Sequence, residues 1–552
     1  MPEARPVDVL ILGGGINGCG TFRDLCAQGV ETLLLERDDF CAGASAASSR
    51  LMHGGLKYLE TGEFRLVRQS LVERNRLLAN AAHYVTALPT ILPLRTRFSG
   101  IVPSALRFLG LGARMTDRGS LITRAGLAVY DFHGRRHRSM PFHRILGRRA
   151  LEERVTDLDP GIIAAGLYYE GRLSHAERLG LELVLDGERL HPPSRALNHA
   201  RVVAAGDGTV TYRHAGALHA VRPRVIVNAG GAWIDAVNAE LGIESTLMGG
   251  SKGSHIVVDH PELHRALNGH MVYFGTADGR VNLLYPFGDR VLIGATDIPV
   301  PGPEDARCEA DEVAYMLASV AEVFPGLPVT EAHVRYRFCG VRPLPRADGE
   351  IGLVTRDHSI AELSFGGAPV LCLVGGKWTT FRAFAEEAAD RALAHLGAAR
   401  RVDTSDMPIG GGRDFPRSPE DRARWTARVA GATGLSQGRI DALLNRYGTR
   451  AERVAAACAG ERMLGTLPDY SADELRFLAL EERVGTLADL LMRRTLIAMS
   501  GRLTPAVAAE CAAVAGGALG WSEERRRREV AAIPQGEPAP WRADEEPERP
   551  AA

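Results

Sequence analysis

An apolar run of strand length, Val7-Asp8-Val9-Leu10-Ile11-Leu12, leads directly into Gly13-Gly14-Gly15-Ile16-Asn17-Gly18, and a second apolar run, Leu33-Leu34-Leu35, ends on Glu36. Strand, glycine turn, helix, strand and terminal acid form the βαβ fingerprint of a dinucleotide fold. Gly13 permits the tight turn, Gly15 lets the backbone approach a pyrophosphate, and Gly18 lets helix and strand close up. The phosphates then meet the positive end of a helix beginning near Ile16. Glu36 is placed to accept hydrogen bonds from a ribose diol and to repel a 2′-phosphate, so FAD or NAD fits better than NADP.

With 552 residues, 45% of them hydrophobic and 24% charged, the chain can bury a large core and divide into two or three domains. A formal net charge of -1 provides no global attraction for nucleic acid, which is not expected as a partner. Residues 1–6 are too short for a signal peptide, and no apolar run reaches the ~18 to 20 residues that span a bilayer. A cytoplasmic location is expected, with any membrane attachment peripheral. The eight cysteines are scattered, without C-x-x-C or a Cys/His cluster, so reduced buried thiols and no metal site are expected.

After Glu36 comes Ala44-Ser45-Ala46-Ala47-Ser48-Ser49-Arg50-Leu51-Met52-His53-Gly54-Gly55-Leu56-Lys57-Tyr58, rich in the small and hydroxylated side chains that close passage along a flat cofactor requires. The fingerprint followed by this S-x-x-S-S-R-L-x-H-G-G-L-K-Y string resembles the FAD-dependent glycerol-3-phosphate dehydrogenases of the DAAO-like flavoprotein superfamily. The likeness runs over residues 7–499. It implies an α/β fold: a Rossmann-like FAD-binding domain of the DAAO/glutathione-reductase-2 type, an antiparallel-sheet substrate domain and a C-terminal helical domain. The FAD-binding domain is expected in residues 1–90, 150–235 and 340–398, and the substrate or cap domain in 91–149 and 236–339. The helical domain follows in 400–533, and the Pro/Glu/Ala-rich tail 534–552 is expected to be disordered. Alternating strands at 250–258 and 291–297, and i, i+3, i+4 spacing after the Gly410-Gly411-Gly412 linker, agree with that layout.

Oxidising a secondary alcohol with a flavin needs an anchor for the substrate anion, a proton acceptor, and positive potential near flavin N1. By the resemblance, Arg342 and Arg356 grip a phosphate, with Lys57 and Tyr58 alongside. His255 would accept the hydroxyl proton, since histidine titrates near neutrality, and His53 would orient the ring or the substrate. Lys377, at a helix start in Gly376-Lys377-Trp378, would set a cation and backbone N–H groups beside flavin N1 and C2=O. The first loop would give the cofactor Gly13, Gly15, Asn17 and Gly18, with Glu36 beyond. The next would give Ser45, Ser48, Ser49, Arg50, Leu51 and His53. Val202 would lie on the adenine side, and the later turns would add Gly230, Trp233, Gly376, Lys377 and Thr379.

The resemblance implies oxidation of sn-glycerol 3-phosphate to dihydroxyacetone phosphate, hydride passing from C2 to flavin N5 and electrons leaving to membrane quinone. The expected partners are a phosphorylated polyol, quinone and an anionic membrane surface, with a homodimer left open. Basic, amphipathic residues 95–149 are the membrane candidate, at the inner face of the cytoplasmic membrane. Four departures stand out. Lys57 replaces a family Arg, Ala295 a Thr and Trp378 a Leu, while Ser174-His175-Ala176-Glu177-Arg178-Leu179 replaces a D-D-x-R-L pattern. They leave open another polyol phosphate, such as erythritol phosphate, or oxygen as acceptor. A flavin-binding protein without turnover is the remote alternative.

Overall fold

The strand β1 (Ala4–Leu12) is buried almost continuously from Val7 onward, as expected of a central parallel strand covered on both faces. In the computed structural model, which describes residues 2–55, 63–96, 127–128, 130–131, 140–276, 278–304, 306–346 and 357–533, it pairs in parallel with β2 (Thr32–Leu35) and with Ala217–Asn228. The sheet runs Ser359–Phe365, Ala368–Val374, Ala217–Asn228, β1, β2, Arg195–Leu197, and only the first of these strands is antiparallel to its neighbour. Because successive side chains point to opposite faces, Val9 and Ile11 pack on the helices α1 (Ile16–Ala27), Ala176–Leu190 and Phe381–Leu396. Leu10 and Leu12 pack on the other side, against Val210, Tyr212 and Ile234. Gly13 adopts a φ of 106°, and a Cβ on Gly18 would stand 2.0 Å from the Gly13 carbonyl oxygen, so α1 crosses the strand end at a distance only glycine allows.

A second, largely antiparallel sheet of ten strands is built around Met248–Val258, which pairs with Val334–Pro345 and Arg290–Gly294. It continues through Val281–Phe287, Met271–Gly275, Val85–Leu94 and Ala164–Leu173. These pairings shift the boundaries read from sequence. Val85–Leu94 and Ala164–Leu173 pair with each other along their lengths and belong to this sheet, whereas the boundaries at 90 and 150 gave them wholly or partly to the nucleotide-binding domain. Pro89 and Pro93 obscure the first of these strands in the sequence. They are tolerated because its second ladder, to Met271–Gly275, involves only Thr90 and Ile91.

Helices Pro419–Thr433, Gln437–Tyr447, Ala472–Glu481, Pro505–Leu519 and Glu523–Ala532 form most of the C-terminal domain. Each begins where a hydroxyl satisfies an otherwise unpaired backbone N–H: Ser418, Ser436, Ser471, Thr504 and Ser522 accept from the amide three residues on. Leu475 and Leu478 of these helices close a core of their own with Leu487 and Ile497, which lie in the segment between Ala472–Glu481 and Pro505–Leu519, Ile497 in a turn rather than on a helical stripe. Among the described residues no helix is long and apolar enough to cross a membrane.

Candidate active site

The two sheets and the C-terminal domain enclose a cavity of about 1460 Å³. Its walls bring together most of the residues singled out in the sequence. Gly13, Gly15 and Asn17 come from the turn after β1, Glu36 from the end of β2, and Ser45, Ser48, Ser49, Leu51 and His53 from the loop that follows. Val202, Gly230 and Trp233 also line it, as do His255 and Arg342 of the second sheet and Gly376, Lys377 and Thr379 after the strand Ala368–Val374. Lys57, Tyr58, Arg356 and most of residues 95–149 lie outside the described residues. Gly18 acts one layer back through helix packing.

Arg50 does not reach the wall. It is 1% exposed and its guanidinium pairs with Glu177, so its role is to tie the cofactor loop to the helix Ala176–Leu190. Lys377 also differs from expectation. The helix begins at Phe381 with Thr380 as its cap, so Lys377 lies in a turn ahead of the first helical residue, where Thr380 N donates to its carbonyl at 3.1 Å.

At the dinucleotide end, Ser45 Oγ accepts from the Ile16 amide at 3.0 Å, fixing the loop over the helix N-terminus. The departure Trp378 belongs to this brace: its indole N–H donates to the Ser45 carbonyl at 3.0 Å. Glu36 accepts from the Gly14 and Asp38 amides at 2.6 and 2.8 Å. Burial, reinforced by the Asp38 charge, pushes its carboxyl up to about 7. It therefore staples its own loop. Asn17 donates to the Gly375 carbonyl at 3.2 Å, yet its Oδ1 and the Trp233 Nε1 are buried without a hydrogen-bond partner among the described residues. Buried polar atoms rarely remain unmatched. Their position on this wall fits the polar edges of a flavin dinucleotide.

At the other end, the long antiparallel strands place His255 and Arg342 on the same wall. His255 is 2% exposed, stacks on Phe338 at 5.1 Å and shares a hydrogen with Ser49 Oγ through Nε2 at 2.7 Å. The expected near-neutral titration is not what this setting produces: burial, then the positive charges of Arg342 and Arg50, lower His255 to about 3. The imidazole is thus neutral at physiological pH. Arg342 lies over Gly253, where even a Cβ would stand 2.1 Å from its Nη2. It donates to Asp297 Oδ1 at 2.9 Å, Ser251 Oγ at 3.1 Å and the Thr296 carbonyl at 2.9 Å. Ser251 and Asp297, which sequence reasoning did not mark as site residues, hold the guanidinium in place. Asp297 lies 45 positions from Arg342 in the chain, so no local pattern links the two.

A glycine-rich βαβ turn, a buried loop across it and an arginine-bearing wall on an adjoining antiparallel sheet are the architecture of a flavin-dependent oxidoreductase. The chain belongs to the FAD dependent oxidoreductase family, whose model matches residues 8–382; a second model, the C-terminal domain of alpha-glycerophosphate oxidase, matches residues 402–526. Over 520 residues it is 33% identical to a glycerol-3-phosphate dehydrogenase of Synechocystis sp., with 89% of each chain covered. Over 517 residues it is 33% identical to the D-erythritol 1-phosphate dehydrogenase of Brucella abortus, covering 90% of this chain and 95% of that one. Its fold is similar to the FAD-complexed glycerol-3-phosphate dehydrogenase of Bacillus halodurans, with a TM-score of 0.71 at 22% identity, covering 96% and 94% of the two chains.

Proposed function

We propose that this FAD-dependent enzyme oxidises sn-glycerol 3-phosphate at its secondary carbon to dihydroxyacetone phosphate and delivers the electrons to membrane quinone. The observation that carries the reading is the placement of Arg342, the His255–Ser49 pair and the Gly376-Lys377 turn on one cavity with the dinucleotide loop. Bound FAD supplies the two-electron oxidant. Arg342, held by Asp297 and Ser251, grips the phosphate, with Lys57, Tyr58 and Arg356 as further candidates. His255 is neutral and so able to take the hydroxyl proton. A phosphate dianion on Arg342 would offset the positive potential that depresses His255, making it a stronger base when substrate is bound. Lys377 adds positive potential where reduction builds negative charge.

A second reading, oxidation of D-erythritol 1-phosphate, is supported by the 33% identity to the Brucella abortus enzyme and by Lys57, which replaces a guanidinium fork with a point charge. Steady-state kinetics over a panel of polyol phosphates separates the two. The first reading predicts the highest kcat/KM for glycerol 3-phosphate, and a higher value for the four-carbon substrate would replace it.

Membrane attachment is supported by an exposed patch at one border of the second sheet, where Phe142, Ile145 and Ile163 are 65%, 36% and 40% accessible. Arg144 beside them is exposed, and the Arg149 side chain is 96% exposed. Apolar groups with cations beside them suit an anionic lipid surface.

A further inference from the structure

The C-terminal domain also contributes to the cofactor cavity. Ala488, Asp489, Met492 and Arg493 line it at the end where Glu36 closes β2, beside His199 and Asp39. With the pyrophosphate at the start of α1, this is the end left for the adenosine half of the dinucleotide.

The segment is fixed there by a closed set of buried ionic contacts. Asp39, fully buried, accepts from Asn198 at 2.9 Å, from Arg494 at 2.6 and 2.8 Å and from Arg493 Nε at 2.5 Å. Asp489, also fully buried, accepts from the Gly485 and Thr486 amides at 2.8 and 2.9 Å, from Thr486 Oγ1 at 2.9 Å, from Arg493 at 2.7 Å and pairs with His199 Nε2 at 2.8 Å. Asp39, His199 and Asp489 have the residue types and proximity of a metal site, but the carboxylates already spend their acceptor capacity on guanidinium and amide donors. The cluster is built to join two parts of the chain. Asp39 and His199 belong to the nucleotide-binding domain, and Asp489, Arg493 and Arg494 to the C-terminal one.

We propose that the C-terminal domain is a clasp for the cofactor: residues 485–494, pinned by Asp39 and His199, cover the adenosine end of the cavity and set how long FAD stays bound. The inference rests on FAD occupying this cavity and not on which alcohol is oxidised.

The test is the FAD release rate of the purified holoenzyme, followed by the rise in free-flavin fluorescence after dilution, with no substrate present. Asp489→Asn removes the charge that holds His199 and Arg493, and release about tenfold faster is expected, the consequence of losing a charged hydrogen bond. Met492→Ala trims the cavity wall without touching the ionic set, so it stays informative if Asp489→Asn fails to fold, and it should release FAD several-fold faster. Arg453→Ala, which removes an exposed pair with Glu481 elsewhere in the same domain, should match the parent rate. Release from Met492→Ala and from folded Asp489→Asn at the parent rate would overturn the clasp, as would equal acceleration by Arg453→Ala. A polypeptide that never takes up FAD would instead overturn the reading of the cavity itself.

Discussion

Arg342 shows how much of one residue's role its neighbours decide. Alone in a sequence it is a loop arginine, but with Asp297, Ser251 and the Thr296 carbonyl around it the guanidinium has one position. Arg342→Ala should raise KM for the phosphorylated substrate by an amount equivalent to about 1.5 to 3 kcal/mol, the scale of a charged hydrogen bond, with partial recovery in Arg342→Lys. Steady-state kinetics on both variants checks this, and an unchanged kcat/KM would remove Arg342 from the anchor role. His255 gives a pH prediction. Its ordinary value of 6.5 is lowered to about 3 by burial and by the neighbouring cations Arg342 and Arg50. Between those values the unfolded chain binds a proton that the folded chain does not, so stability falls as pH drops from 6.5 towards 3. His255→Gln, which cannot titrate, should flatten that acid limb in thermal melts of the apoprotein, and a parallel limb would contradict the assignment. The glycines of the first turn were legible because spacing and residue type suffice for them, whereas His255 and Arg342 were singled out only through the family resemblance. The inward turn of Arg50 onto Glu177 was not legible, since a basic residue in a cofactor loop reads the same whether it faces a phosphate or a carboxylate.

At the scale of elements, the βαβ unit was legible because its continuous apolar strands, glycine turn and terminal acid all point to one local structure. The C-terminal helices were legible for a similar reason, as stripes at helical spacing lie between hydroxyl caps. Ser471→Ala should lower stability by about 1 kcal/mol, the usual cost of a lost cap, read from chemical denaturation. The strands Val85–Leu94 and Ala164–Leu173 were not legible, because only long-range pairing places them and prolines weaken the local signal of the first. The exposed patch around Phe142 gives another element-scale prediction. Flotation should be stronger with anionic than with neutral vesicles, and Phe142→Asp should reduce it. Equal flotation with both lipids would argue against the basic surface as a docking site.

At the scale of the molecule, the nucleotide-binding and C-terminal domains meet across an interface of buried charges. Arg178, in the segment that departs from the D-D-x-R-L pattern, forms paired hydrogen bonds with Glu482 at 2.7 and 2.9 Å and donates through Nε to the Tyr84 hydroxyl at 2.9 Å. His83 meets Glu182 at 2.8 Å nearby, and Arg450 reaches Glu482 at 3.2 Å. Buried charges are costly unless paired, so removing one partner leaves the other uncompensated. Arg178→Ala should destabilise the protein by about 3 to 5 kcal/mol, visible as a lower midpoint in calorimetry. A change within the range of an exposed pair would mean that water reaches the interface. No short motif announces these contacts, because their residues lie from 32 to 304 positions apart in the chain.

The central claim, that a flavin and a phosphorylated alcohol share this cavity, is tested most directly by anaerobic titration of the purified holoenzyme with sn-glycerol 3-phosphate. The account predicts that the flavin absorbance bleaches fully at one equivalent, with dihydroxyacetone phosphate formed in the same amount. Flavin that stays oxidised with excess glycerol 3-phosphate and every other polyol phosphate would contradict it.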